Sequence, residues 1–180
     1  MRQNQIVADY IDGKMIKIEF PSVGTTGGLG PCLGLGFYNP NLNLGYILHR
    51  MPMYDSPRNM IFSEVNPKLE GNRSEFHILA AGLKYLFVDQ NDNLGIFDDD
   101  ELGKGLHAVA MDIDNQLDGL LEEMGFDSKK LTKCYNGQNG DYETGLVIID
   151  TIQGFAEIRT RSVFQQNGRT ISRYKVKRNK

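Results

Sequence analysis

The sequence lacks tryptophan and contains only two cysteines, Cys32 and Cys134, among its 180 residues. Neither cysteine has another ligand at C-x-x-C or similar spacing, which argues against a zinc site. Nothing in the sequence indicates an oxidising compartment, so two free thiols are a better interpretation than a disulfide. Each cysteine is therefore either a small buried hydrophobic residue or a reactive group.

Long apolar segments are also absent. No run of about 18 apolar residues occurs, so no membrane-spanning helix is predicted. Residues 1–14 contain no apolar stretch of the kind found in signal peptides. With 40% hydrophobic and 24% charged residues, the composition is that of an ordinary globular domain. We therefore predict a single domain over residues 1–180, cytoplasmic and without membrane insertion.

Acidic and basic residues nearly balance, giving a formal net charge of -3, but they are unevenly distributed. Residues 98–101 are all acidic, whereas residues 158–180 include eight lysines and arginines and no acid. A basic end can bind nucleic acid or an acidic protein surface. No aromatic-basic motif accompanies it, so nucleic acid is not the expected partner. The basic tail, residues 173–180, is predicted to be a solvated strand that frays at its end.

The hydrophobic pattern predicts several strands and few helices. Alternation predicts short strands within residues 5–20, around a turn at Asp12-Gly13, and a hairpin within residues 32–50. Helical spacing predicts one helix within residues 106–124 that ends at Gly125, and a short one from Ser74 to Ala81. Further strands are predicted at 83–89, 131–135, 145–151, 155–164 and 170–177. This mixture favours an α+β fold over a regularly alternating α/β fold.

The predicted hairpin places a cysteine and a histidine on one face. With Pro40-Asn41 at its tip, Cys32 pairs with His49, and Gly34 and Gly36 continue the same face. The opposite face carries only hydrophobic side chains, so a slip of one residue would mix the two faces. In this register the Cβ atoms of Cys32 and His49 lie about 5 Å apart. The glycines beside them are expected to leave open space for a ligand.

A thiol beside an imidazole can act as a nucleophile. His49 could take the proton of Cys32, and the thiolate could then attack an amide carbon. The imidazolium would protonate the leaving amine, and backbone N–H groups of the 27–32 loop could bind the oxyanion. From the residues alone a second interpretation stays open, because a lone cysteine in a strand is commonly a core residue and a lone histidine a structural one.

Two short segments resemble motifs of a known family. They read TGGLGPCLGLGFYNP over residues 26–40 and HRMP over residues 49–52. A threonine, a cysteine six residues later and a histidine 17 residues after the cysteine are similar to the catalytic set of the chemoreceptor glutamine deamidase (CheD) family. The resemblance implies that Cys32 is the nucleophile, His49 the base and Thr26 the group that orients or supports His49. Thr26 enters through this resemblance alone, since spacing does not choose it over Thr25.

The resemblance also carries expectations for the rest of the molecule. It implies a layered sandwich of mixed or antiparallel β-sheet with helices packed on one side. Gly27, Gly28 and Gly30 would form the substrate and oxyanion loop. The match is weaker over parts of residues 110–180, and residues 53–105 look like an insertion that the family does not have.

The implied activity is that of a cysteine amidohydrolase. It would deamidate glutamine or asparagine side chains of a protein substrate, for example a chemoreceptor in chemotaxis, and release ammonia through a thioester. That reaction needs no metal and no organic cofactor. The alternative is a catalytically inactive scaffold of the same fold that binds and regulates a partner protein.

Overall fold

The computed structural model describes residues 4–8, 13–27, 32–50, 63–65, 68–82, 85–88, 94–95, 111–135, 143–162 and 171–179. The strands in chain order are β1 (Asn4–Ala8), β2 (Ile16–Ile18), β3 (Ser22–Thr26), β4 (Leu33–Asn39), β5 (Leu44–Arg50), β6 (His77–Gly82), β7 (Tyr85–Val88), β8 (Leu94–Gly95), β9 (Met111–Asp112), β10 (Leu131–Tyr135), β11 (Glu143–Asp150), β12 (Phe155–Ser162) and β13 (Ile171–Lys177). Helix α1 covers Ile113–Glu123, and short 3-10 turns cover Arg73–Glu75 and Ser128–Lys130.

Most strands belong to two five-stranded sheets. Sheet A has the order β1-β3-β11-β12-β13, and sheet B has the order β10-β6-β4-β5-β2. Both sheets are mixed, because β1 pairs in parallel with β3 and β10 pairs in parallel with β6, whereas the other pairs are antiparallel. Strands β8, β7 and β9 form a small third sheet.

Two hydrophobic clusters show how these elements are layered. The first lies between sheets A and B and consists of Ala8, Ile18, Cys32, Tyr38, Ile47, Leu79, Ala81, Val147, Ile149, Ala156, Ile158 and Val176. The second lies on the outer face of sheet B, where Leu35, Phe37 and Leu48 share a cluster with Leu117 and Leu121 of α1. The predicted fold class is confirmed: an α+β layered sandwich of two mixed sheets with a helix packed on one side.

Helix α1 follows from the spacing of its leucines. Leu117, Leu120, Leu121 and Met124 are all buried, and they recur at the three- and four-residue intervals of one helix face. Full burial of one leucine side chain contributes about 2 kcal/mol to stability. Gly125, with φ of +84°, allows the left-handed turn that ends the helix, as predicted.

Strand β6 corrects the helix predicted from Ser74 to Ala81. Asn72 caps a 3-10 turn at residues 73–75, with its side chain accepting from Ser74 N–H, and the chain then extends from His77. Strand β6 lies between β10 and β4, and its residues 78–82 are all buried. A strand buried on both faces does not alternate, so its sequence pattern is indistinguishable from that of a buried helix. The proposed insertion at 53–105 stays a prediction, but residues 77–82 within it are a central strand.

The first three strands also differ from expectation. Strands β1 and β2 do not pair with each other, because β1 joins sheet A and β2 joins sheet B. Residues 22–26, for which no strand is predicted, form β3, which pairs with both β1 and β11.

The basic C-terminal segment is an ordered strand. Strand β13 is predicted correctly, and the two described residues after it, Arg178 and Asn179, are hydrogen-bonded to the rest of the protein. Arg178 N–H donates to Gly154 O at 2.7 Å, and the Asn179 side-chain amide donates to Asn41 Oδ1 at 2.6 Å. These two bonds attach the segment to the β11–β12 turn and to the β4–β5 turn.

Candidate active site

The β4–β5 hairpin keeps the predicted faces but not the predicted register. Gly34 pairs with His49, and Gly36 pairs with Ile47, so the pairing of Cys32 with His49 is wrong by two residues. Because side chains alternate with a period of two, this shift leaves Cys32 and His49 on the same face. Cys32 precedes Leu33, the first paired residue of β4. Extending the ladder by one residue would make Cys32 a diagonal neighbour of His49, with a Cβ separation of about 7 Å.

The longer turn explains the shift. Asn39 pairs with Leu44, so residues 40–43 form a four-residue connection instead of the predicted two-residue tip. The Asn39 side-chain oxygen accepts hydrogen bonds from the N–H groups of Asn41 and Leu42, at 3.0 and 3.1 Å. Asn43 then adopts a positive φ of 51°, which asparagine tolerates better than most residues.

Two glycines of this face, Gly36 and Gly45, do not leave open space. A Cβ added at Gly36 would lie 2.6 Å from Val147 Cγ1, and one at Gly45 would lie 2.5 Å from Ile149 Cγ2. Both partners belong to β11 of the opposite sheet. The glycines therefore let the two sheets approach closely, and the expectation of a glycine-lined cleft is wrong at these positions.

Cys32 lies just before β4, at the edge of the cluster between the sheets. It is 2% exposed, and burial raises the pKa of its thiol. A raised pKa favours the protonated thiol, so Cys32 is protonated at neutral pH in the resting structure. An activated cysteine would instead have a lowered pKa. Any thiolate must therefore form when a base takes the proton during attack.

His49 is the base that the hairpin supplies. It lies on β5, is 3% exposed, and its Nδ1 lies 3.2 Å from the carbonyl oxygen of Ala8. A carbonyl oxygen can only accept, so Nδ1 donates and carries the proton. In the neutral ring Nε2 is then the basic nitrogen. Ala8 is the last residue of β1, so the opposite sheet fixes the orientation of the imidazole.

Thr26 is buried at the same end of the sandwich. It is 0% exposed, and its Oγ1 accepts a hydrogen bond from Val147 N–H at 3.1 Å. Thr26 pairs with Ala8 across the parallel β1–β3 ladder, next to the carbonyl that holds His49. The structure thus brings Thr26, His49 and Cys32 to one end of the sandwich, and the group bonded to His49 Nδ1 is Ala8 rather than Thr26.

Gly82 positions the backbone of Cys32. It ends β6 with φ of +116°, and a Cβ at this position would lie against the Cys32 carbonyl oxygen. Only glycine fits both the dihedral angle and the close approach. The helix predicted over residues 74–81 gives Gly82 no such role, although the glycine that ends the run HILAAG is a signal for it.

The predicted oxyanion loop is described only at its beginning. Gly27 follows Thr26 directly and is exposed, with no atom within 4 Å of an added Cβ. Gly28 and Gly30 lie outside the described residues. Cys134 packs against the cluster between the sheets, as expected for a core cysteine, although it is only partly buried.

Two features are absent from the described residues. No group of three or more His, Cys, Asp or Glu side chains is placed to hold a metal ion. Within the same residues, no helix combines the length and apolar character needed to cross a membrane.

Comparisons with known proteins assign no family. No protein-family model matches the chain, and no curated protein matches it. Among solved structures it is similar to the hypothetical protein YfiH of Bacillus licheniformis, with a TM-score of 0.44 and 14% identity. The similar region covers 67% of this chain and 50% of that protein, so the chain spans about half its length. A likeness of this extent carries no argument about function.

Proposed function

We propose that the protein is a cysteine amidohydrolase of the CheD type that deamidates glutamine or asparagine side chains of a protein substrate. The observation that supports the proposal is that Cys32, one residue before β4, and His49 on β5 are both buried between the two sheets at one end of the hairpin. A thiol and an imidazole in this arrangement are the minimum that a thioester mechanism requires.

The direction of proton transfer follows from the hydrogen bond to Ala8. Because Nδ1 donates to the Ala8 carbonyl, Nε2 is the atom that accepts the thiol proton. The same nitrogen then protonates the leaving ammonia. Water afterwards hydrolyses the thioester and regenerates the thiol, so the cycle needs no other reactant.

Access is a requirement of the mechanism. Cys32 and His49 are 2% and 3% exposed, so a substrate amide reaches them only if this end of the sandwich opens. A glutamine side chain extends far enough from its backbone to enter a narrow opening, which suits a protein substrate better than a bulky small molecule.

The proposal is tested by ammonia release from glutamine- and asparagine-rich protein substrates. Wild-type protein should release ammonia and add about one dalton to the modified residue, as conversion of an amide to an acid requires. Cys32→Ala should abolish both signals, whereas Cys134→Ala, which removes the other cysteine, should retain them.

The outcomes separate the enzyme from an inactive scaffold. Full activity in Cys32→Ala would refute the nucleophile. No ammonia from wild-type protein on any substrate of the panel would favour a non-catalytic binding protein.

A further inference from the structure

A basic cleft lies at the end of the sandwich opposite Cys32. It has a volume of about 620 Å³ and lies between the β11–β12 turn and the end of β13. Its lining includes Lys175, Lys177 and Arg178, the amide side chains of Gln153 and Asn179, and Phe155. Strands of about seven residues separate this cleft from the Cys32 end, which corresponds to about 20 Å.

The positive charges of this cleft are only partly neutralised. Lys175 lies over the Phe155 ring, 3.5 Å from its centroid, and 3.8 Å from Glu157 Oε2. Glu157 is also paired with Arg159, so one carboxylate serves two cations. Within the described part of the chain, no acid lines the cleft, and neither Lys177 nor Arg178 forms an ion pair there.

The nearby acid of the turn is also committed. Asp150 ends β11, is buried, and accepts hydrogen bonds from the N–H groups of Ile152 and Gln153 at 2.9 and 2.8 Å. Its carboxylate shapes the turn and does not line the cleft. The mouth of the cleft therefore carries a net positive charge.

An adjoining cleft shows the contrasting arrangement. It shares Arg178 but also contains Glu19 and Glu70. These two acids bind Lys17 at 2.8 and 3.0 Å, so that lysine is neutralised within the protein. Two acidic side chains thus line this cleft, whereas none lines the basic one within the described residues.

The cleft is also organised before any ligand binds. Two hydrogen bonds hold its far side: Arg178 N–H to Gly154 O, and the Asn179 amide to Asn41. Gly154 has φ of +70°, and a Cβ there would lie 2.9 Å from Arg178 Cβ, so glycine allows the strand end to approach the turn. A preformed site loses less conformational entropy on binding.

We propose that this cleft binds a compact polyanion carrying two or more phosphoryl groups. Lysine ammonium groups and an arginine guanidinium are the side chains that bind phosphate oxygens in proteins, and carboxamides add neutral donors. Three cations around one cleft match a diphosphate or triphosphate better than a single phosphate. The site is separate from Cys32 and does not depend on the amidohydrolase proposal.

The proposal is tested by calorimetric titration with inorganic pyrophosphate and tripolyphosphate at low ionic strength. Both should bind saturably at one site, with orthophosphate much weaker. Lys177→Gln and Arg178→Gln should each weaken binding by about tenfold, because each removes a charge-assisted contact. Lys129→Gln, which removes an exposed lysine near α1, should bind like wild type.

The remaining outcomes overturn the proposal. It fails if neither polyphosphate binds, or if Lys177→Gln and Arg178→Gln bind like wild type. Equal weakening in Lys129→Gln would indicate general charge attraction instead of a site. A short single-stranded oligonucleotide tests whether the phosphoryl groups belong to a nucleic-acid backbone instead of a compact ligand. Binding of the oligonucleotide without binding of pyrophosphate would refute a compact ligand.

Discussion

A single backbone carbonyl determines how His49 can act. Ala8 O lies 3.2 Å from Nδ1 and can only accept, which assigns the proton to that nitrogen. The imidazole lies on the same hairpin face as the thiol, so sheet B sets its position relative to Cys32. Sheet A sets its orientation through the Ala8 carbonyl. General base catalysis depends on this nitrogen having its lone pair when the substrate arrives.

The first prediction concerns this tautomer. At a pH where His49 is neutral, nitrogen NMR should show a protonated Nδ1 and an unprotonated Nε2, because the Ala8 carbonyl stabilises that form. The other two histidines, His77 and His107, serve as internal references. A neutral His49 with its proton on Nε2 would contradict the proposed base.

Buried hydroxyl and thiol groups lead to the second prediction, which concerns alkaline pH. Burial raises the pKa of Cys32 and, despite the opposing charge of Arg178, raises the pKa of Tyr38 to about 12. The unfolded chain loses these protons at lower pH, so the native state holds more protons in between. The contribution of these two groups to the free energy of unfolding should therefore be constant below about pH 8 and fall as the pH rises towards 12.

Urea unfolding at several pH values measures this effect. Tyr38 should account for a loss of about 2–3 kcal/mol in the free energy of unfolding at pH 12, since each pKa unit is worth about 1.4 kcal/mol. Tyr38→Phe should lower stability at neutral pH, because the hydroxyl donates to Asn43 Oδ1, but should flatten the alkaline decline. An unchanged slope in Tyr38→Phe would show that other groups cause it.

At the scale of elements, the β4–β5 hairpin serves two purposes. One face packs on α1, and the other is thinned by glycines so that β11 of sheet A can approach. These glycines are part of the packing between sheets. Their replacement should therefore affect stability in a way that an exposed glycine does not.

A pair of glycine substitutions forms the third prediction. Gly36→Ala should destabilise the protein by about 1–3 kcal/mol, because the new methyl group overlaps Val147. Gly119→Ala, at an exposed position in α1 with no atom within 4 Å of an added Cβ, should stabilise it by about 0.5–1 kcal/mol. Urea midpoints measure both. Equal effects of the two substitutions would contradict the close approach of the sheets.

The hairpin also shows what sequence patterns can predict. Alternation predicted its strands and assigned Cys32 and His49 to one face, because face depends only on odd and even positions. The register was wrong, because it depends on the turn, and Asn39 builds a four-residue turn through its side chain. Strand β6 was mistaken for a helix because central strands lack alternation.

At the scale of the whole molecule, strand direction places the two proposed sites at opposite ends. Thr26, Arg50 and Gly82 end their strands near Cys32, whereas Lys177 and the turn at residues 151–154 lie at the other end. A polyanion can therefore bind at its proposed site without blocking the amide site.

Contacts between residues that are distant in the sequence limit what the sequence predicts about the amide site. Cys32 and His49 are close along one hairpin, so local pattern and a family resemblance suffice to select them. Ala8 contacts His49 across a separation of 41 residues in the sequence, and Gly82 lies beside Cys32 because β4 pairs with β6. Such contacts depend on which strands become neighbours, and single-chain patterns do not encode that pairing directly.

The most direct test of the central claim is labelling by a peptide whose glutamine carboxamide is replaced by a chloromethyl ketone. Site-resolved mass spectrometry should find the label on Cys32 and not on Cys134 in the folded protein. His49→Gln, whose amide can still donate to Ala8, should keep its thermal unfolding temperature but label about 100-fold more slowly. Labelling of Cys134 as fast as Cys32, or a rate unchanged in His49→Gln, would contradict a cysteine nucleophile activated by His49.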